Sequence, residues 1–127
     1  MGVKELYRVE HANKGSLWYD NNANKTDQLL EILSPSSPII GLPMPYDYRR
    51  HSKGGKWLSS TGSLEDLKGW FTLEDFSRLM YDEYYLYKIK AANFLLLENK
   101  EIIFNEDTIV EKVLLDPTEM YPEFTWK

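Results

Sequence analysis

Residues 3–10, VKELYRVE, mix β-branched and aromatic side chains with polar ones and contain no breaker, so the pattern predicts a strand. It ends before the Asn- and Gly-bearing stretch HANKGSLWYDNNANK. TDQLLEIL, residues 26–33, opens on a Thr able to cap and carries Leu29, Leu30, Ile32 and Leu33, which predicts a short helix stopped by SPSSP. Four prolines between positions 35 and 45, then Gly54 and Gly55, make the next segment irregular. A loop that long is a functional loop or lid, or it hides an element. KWLSS, residues 56–60, reads as a short strand. SLED and TLED follow, in which Ser63 and Thr72 can each accept from a backbone N–H three residues on, with acids in the first turn. Leu64, Leu67 and Phe71 share one face of the first helix, and Leu73, Phe76 and Met80 one face of the second. The last third is β: EYYLYKIKA, FLLLE, EIIF and TIVEKVLL, separated by AN, NK and NED, which suit turns. DPTEMYPEFTWK has two prolines and is expected along the surface. This order predicts an α+β fold with a mostly antiparallel sheet and two or three short helices.

Composition narrows the picture. At 127 residues, the chain fits a single domain, 1–127, with one core. Nine Tyr and four Trp exceed what a small core needs, so several are expected at a groove or contact surface. The lack of Cys removes disulfides and thiol chemistry and fits a reducing, cytoplasmic setting. With two His, no metal site is expected. The longest apolar run, FLLL, is too short to span a membrane. A net charge of -5 argues against general nucleic-acid binding.

Against that acidic background, RRHSKGGK stands out. Arg49, Arg50, Lys53 and Lys56 cluster without an acid, and SKGG can turn backbone N–H groups toward an anion onto which the two arginines could fork. The alternative is a loop that these charges merely solvate. Three further places could carry chemistry. Arg8, within LYRVEH, could extend into a cleft or make an ordinary surface ion pair, Ser59, Ser60 and Thr61 lead from a strand into a helix, and Glu98 and Glu101 flank a turn between apolar strands. Hydroxyls at a helix entry can hold a ribose or phosphate or simply cap, and a glutamate opening a strand can polarise a hydroxyl or sit in solvent.

In this order, YR on the first strand, SST leading into a helix and a Glu opening a late strand, the chain resembles the ADP-ribosyltransferase fold. That family carries an Arg on its first strand, a Ser-Thr-Ser-like strand end, and a Glu that orients the nicotinamide ribose of NAD. The resemblance implies NAD or an ADP-ribose-like nucleotide as ligand, with Arg8 and Arg49 on the pyrophosphate and Ser59, Ser60 and Thr61 as the hydroxyl strand. It puts Tyr46 or Trp57 on the nicotinamide and Glu101 at the oxocarbenium-like transition state. LYRVEH, SLEDLKGWF and the YYLYKI and EIIF ending also resemble small bacteriophage proteins, which implies a binding or inhibitory role against a host factor. Three functions stay open. The chain could capture a nucleotide-derived anion or an acidic host protein surface, transfer ADP-ribose from NAD to a protein or nucleic acid, or serve as an assembly protein whose aromatics anchor an interface.

Overall fold

The breaker-free run that predicts the first strand is realised as β1 (Lys4–His11) in the computed structural model, which describes residues 2–12, 57–97 and 101–126. After it come β2 (Trp57–Thr61), α1 (Leu64–Lys68), α2 (Leu73–Tyr81), β3 (Tyr84–Ala91), β4 (Phe94–Leu96), β5 (Glu101–Asn105) and β6 (Ile109–Leu115). The strands form one six-stranded sheet in the order β4-β5-β2-β1-β3-β6, with every neighbouring pair antiparallel. The described fold is therefore α+β, mostly antiparallel sheet with two helices. The helix predicted over 26–33 lies outside the described residues.

Period-two alternation gives the sheet two apolar sides. On one, Val9, Tyr84 and Leu86 pack with Leu67 and Phe71, which belong to α1 and its exit, and with Phe76, Leu79 and Met80 of α2. On the other, Leu6, Leu58, Ile89, Ala91, Ile102 and Phe104 form a second cluster. Both helices start as their sequences dictate: the Ser63 side chain accepts from Asp66 N–H, and the Thr72 side chain from Asp75 N–H. Neither helix is long or apolar enough to cross a membrane.

The C-terminal segment runs along the surface, with Asp116, Thr118, Glu119, Pro122, Glu123, Thr125 and Trp126 exposed, but it is anchored there by apolar side chains. Asp116 caps a 3-10 turn at Pro117–Glu119, which sends the chain back over α2. Met120 and Phe124 are buried there, and Phe76 meets the rings of Tyr121 and Phe124 at 5.5 and 6.0 Å between centroids. The Tyr121 hydroxyl donates to the Phe71 carbonyl and the Tyr81 hydroxyl to that of Thr125. Prolines signal irregular backbone, which the segment has, but its apolar side chains at 120, 121 and 124 decide where it lies.

Candidate functional site

β1 sits between β2 and β3, and its two junctions differ. With β3 it is in register from Lys4 opposite Ala91 to His11 opposite Tyr84. With β2 it is in register at Tyr7 opposite Thr61, and among the described residues no further pair forms. Past that point a side chain takes over from the ladder: Arg8 Nη1 donates to the Ser59 carbonyl at 2.7 Å. A buried carbonyl needs a donor, and here a guanidinium supplies it.

Ser59 joins two sides of the sheet. β2 is in register with β5 along its length, with Thr61 opposite Glu101 and Ser59 opposite Ile103, so alternation sends Ser59, Thr61 and Glu101 to the same side. There the Ser59 hydroxyl donates to Glu101 Oε2 at 2.6 Å. Arg8 leaves β1 on the other side, with Leu6 as its neighbour in alternation and its guanidinium carbon 5.7 Å from the centre of the Phe104 ring. Arg8 and Glu101 thus approach from opposite sides and meet at one residue. Arg8 takes Ser59's backbone oxygen, and Glu101 takes its hydroxyl.

Both ionisable ends are sequestered. Arg8 is 2% exposed and Glu101 9%. Arg8 Nε stands 3.0 Å from Glu10 Oε2, an ion-pair contact, and Glu10 Oε1 accepts from Lys112 Nζ of β6. That ammonium lies 4.6 Å from the centre of the Tyr87 ring. Burial, then the nearby charge of Glu10 and the phenol of Tyr85, raises the Tyr87 hydroxyl above its ordinary pKa. Tyr7, beside the point where β1 and β2 part, is raised by burial and then by the Glu5 carboxylate.

Of the residues singled out in the sequence, Arg8, Ser59 and Glu101 form this connected chain. Ser60 alternates away from it, and its hydroxyl donates to the Ile102 carbonyl. Thr61 shares the side of Glu101, while its hydroxyl donates to the Ser63 carbonyl at the entry to α1. Trp57 opens β2. Tyr46, Arg49, Arg50, Glu98 and the rest of the basic loop lie outside the described residues. No family model matches the chain, and no curated protein or solved structure matches it. The site therefore has to be read from its own geometry.

Gly62 and Ile102, each one residue beyond Thr61 and Glu101, help line an open cleft of about 700 Å³ together with Val3, Lys4, Asp66 and Phe94, and Ser59, Thr61 and Glu101 are not among its lining residues. That volume is within the range of small-ligand sites. A Cβ on Gly62 would come within 3.2 Å of Ile102 Cδ1, so the glycine keeps this wall thin. Among the described residues no group of three or more His, Cys, Asp or Glu side chains could hold a metal ion. Glu10 and Lys112 were not foreseen. Spacing could have found Glu10, since Arg8 and Glu10 stand two apart on a strand and share a side. Lys112, 102 positions away from Glu10, left no such trace.

Proposed function

We propose that the chain binds NAD at the Ser59–Glu101 pair and transfers ADP-ribose from it to a protein or nucleic acid, as an ADP-ribosyltransferase-like protein. One observation carries the reading: a nearly buried glutamate at the start of β5 whose carboxylate is held by the hydroxyl of a serine on β2, at 2.6 Å. A carboxylate fixed in this way can accept from a ribose hydroxyl. It also lies ready for the positive charge that grows on the ribose as the bond to nicotinamide breaks and its electrons leave with the neutral base. Arg8 takes a different part from direct pyrophosphate binding, because its guanidinium is engaged by the Ser59 carbonyl and Glu10. The pyrophosphate role then falls to Arg49 and Arg50 of the basic loop, with Tyr46 or Trp57 stacking on the nicotinamide. NAD as substrate fits action in the cytoplasm, that of a host cell for a phage-encoded protein.

A second reading has its own support. The residue two before Glu101 is Asn99, where the resembled family carries Glu or Gln. That difference favours a module that captures a nucleotide-derived anion or an acidic host protein surface without turnover. Incubation with labelled NAD and a bacterial lysate separates the two. Label passing to macromolecules, and lost in Glu101→Gln at unchanged melting temperature, is the expected result. NAD binding without transfer supports capture; neither binding nor transfer sinks the NAD assignment.

A further inference from the structure

β6 is one edge of the sheet, and the ladder on its inner side decides which of its backbone groups are left over. In an antiparallel pair, directly opposed residues alternate between those that exchange N–H and C=O bonds and those that do not. Ala92 N–H donates to the Thr108 carbonyl and Ala12 N–H to the Glu83 carbonyl, so the even positions of β3 turn their backbone groups toward β6 and the odd ones toward β1. Leu86, Lys88 and Lys90 stand opposite Leu115, Val113 and Glu111, which leaves the N–H and C=O of Lys112 and Leu114 facing outward. Among the described residues no strand pairs with that edge.

Exposed edges are usually guarded by bulges and by charges that turn a second strand away. The irregularity between Lys90 and Ala91 guards the start of β6, but register is unbroken from Glu111 to Leu115. The charges are committed inward: Glu111 pairs with Lys90 at 3.2 Å, and Lys112 with Glu10. Apolar side chains remain open, Leu114 at 59% exposure and Val113 at 36%. β4, at the opposite edge, is three residues long and offers no comparable length.

We propose that β6 pairs antiparallel with β6 of a second copy of this chain, about a two-fold axis at Leu114, so that two six-stranded sheets join into one. An axis normal to the sheet sets one residue opposite itself, which limits the registers. Centred on Lys112, it opposes two ammonium groups; centred on Val113, it sets Lys112 against Leu114. Centred on Leu114, it matches Leu114 with Leu114, Val113 with Leu115, and Lys112 with Asp116. The last pair is complementary in charge, and the Asp116 carboxylate is held in place by the N–H and hydroxyl of Thr118. The outward groups of Leu114 then meet each other, and the N–H of Asp116, whose backbone is extended, meets the Lys112 carbonyl. β3 and β1 lie between β6 and β2, so the pairing leaves Ser59 and Glu101 open and does not rest on the NAD reading.

The test uses the whole chain, followed by sedimentation and by amide hydrogen exchange over about a hundredfold range of concentration. The wild type is expected to sediment as a dimer at the high end. Its Leu114 amide should exchange about tenfold or more slower there than at the low end, whereas the Val113 amide, bonded to β3, is slow at both. Leu114→Pro removes one outward donor and spares the β3 ladder, so it should keep the wild-type circular dichroism and stay monomeric throughout. Should it fail to fold, Leu114→Lys, which opposes two ammonium groups across the axis, takes its place. A wild type that is monomeric at every concentration, with a Leu114 amide that exchanges at one rate, overturns the proposal and leaves the edge to a strand of another protein. A dimer that persists in the folded variant overturns it as well, because the interface then lies elsewhere.

Discussion

The two junctions of β1 are made in different ways. Toward β3, eight consecutive residues are in register, and on both sides of the sheet the flanking pairs are apolar: Val9 with Leu86, and Leu6 with Ile89. Toward β2, register is met at Tyr7 and Thr61, and side chains then bridge what a ladder would have joined. A backbone ladder asks little of sequence beyond the right period, so many residue choices satisfy it. A junction closed by side chains asks for particular groups, because removing one leaves its buried partner unsatisfied at a cost of about 1–3 kcal/mol. The contrast separates a junction that many sequences could close from one that needs particular side chains.

Substitutions can break this contrast. The largest expected effect is on the packed side: Phe76→Ala, at a fully buried position between Tyr121 and Phe124, should cost about 3–5 kcal/mol, a large share of a domain's stability of roughly 5–15. Its thermal melt should drop steeply, and a melt equal to wild type would remove Phe76 from the core. Across the β2–β5 ladder, Ser59→Ala should cost about 1–3 kcal/mol, because Glu101 loses a donor, while the fold persists and the proposed NAD chemistry is lost. Denaturant midpoints rank the two, and a Ser59→Ala loss as large as that of Phe76→Ala would make the Ser59–Glu101 pair as much a part of the fold as the core.

A smaller effect belongs to the ladder side and appears only in alkali. Burial, then the neighbouring Asp82 charge, pushes the Tyr84 phenol up from 10.0 to about 12. The folded state therefore keeps a proton that the unfolded chain gives up near 10. The stability this group contributes is fully present below that pH and is lost as pH rises through about 12. Ultraviolet titration should show one tyrosine ionising last and together with unfolding. In Tyr84→Phe that late step should be missing, and its persistence there would assign it to another phenol.

Much of the fold was legible because its signals are local. Breaker-free runs rich in β-branched and aromatic residues marked the strands, and SLED and TLED both helix starts, since a cap is written within four residues. The tail's surface course was legible but its anchoring was not: Pro117 and Pro122 describe backbone, whereas the burial of Met120 and Phe124 depends on the helix they meet. Within the site, Arg8, Ser59 and Glu101 could be named from residue type and order, but not their arrangement. That Ser59 rather than Ser60 faces Glu101 depends on register, which β2 takes from pairing with β5, forty-two positions downstream of Ser59. Lys112 meets Glu10 through tertiary structure alone, and no sequence period connects them.

The central claim is that Ser59 and Glu101 act as one unit on NAD. Nicotinamide release by the purified protein, measured for wild type, Ser59→Ala and Glu101→Gln at equal folded concentration, tests it most directly. The account predicts measurable release by wild type and a fall of about a hundredfold or more in Glu101→Gln, the scale of losing one electrostatic stabiliser of a transition state, with Ser59→Ala falling in the same direction. Equal rates in all three proteins, or no release by any of them, would contradict it.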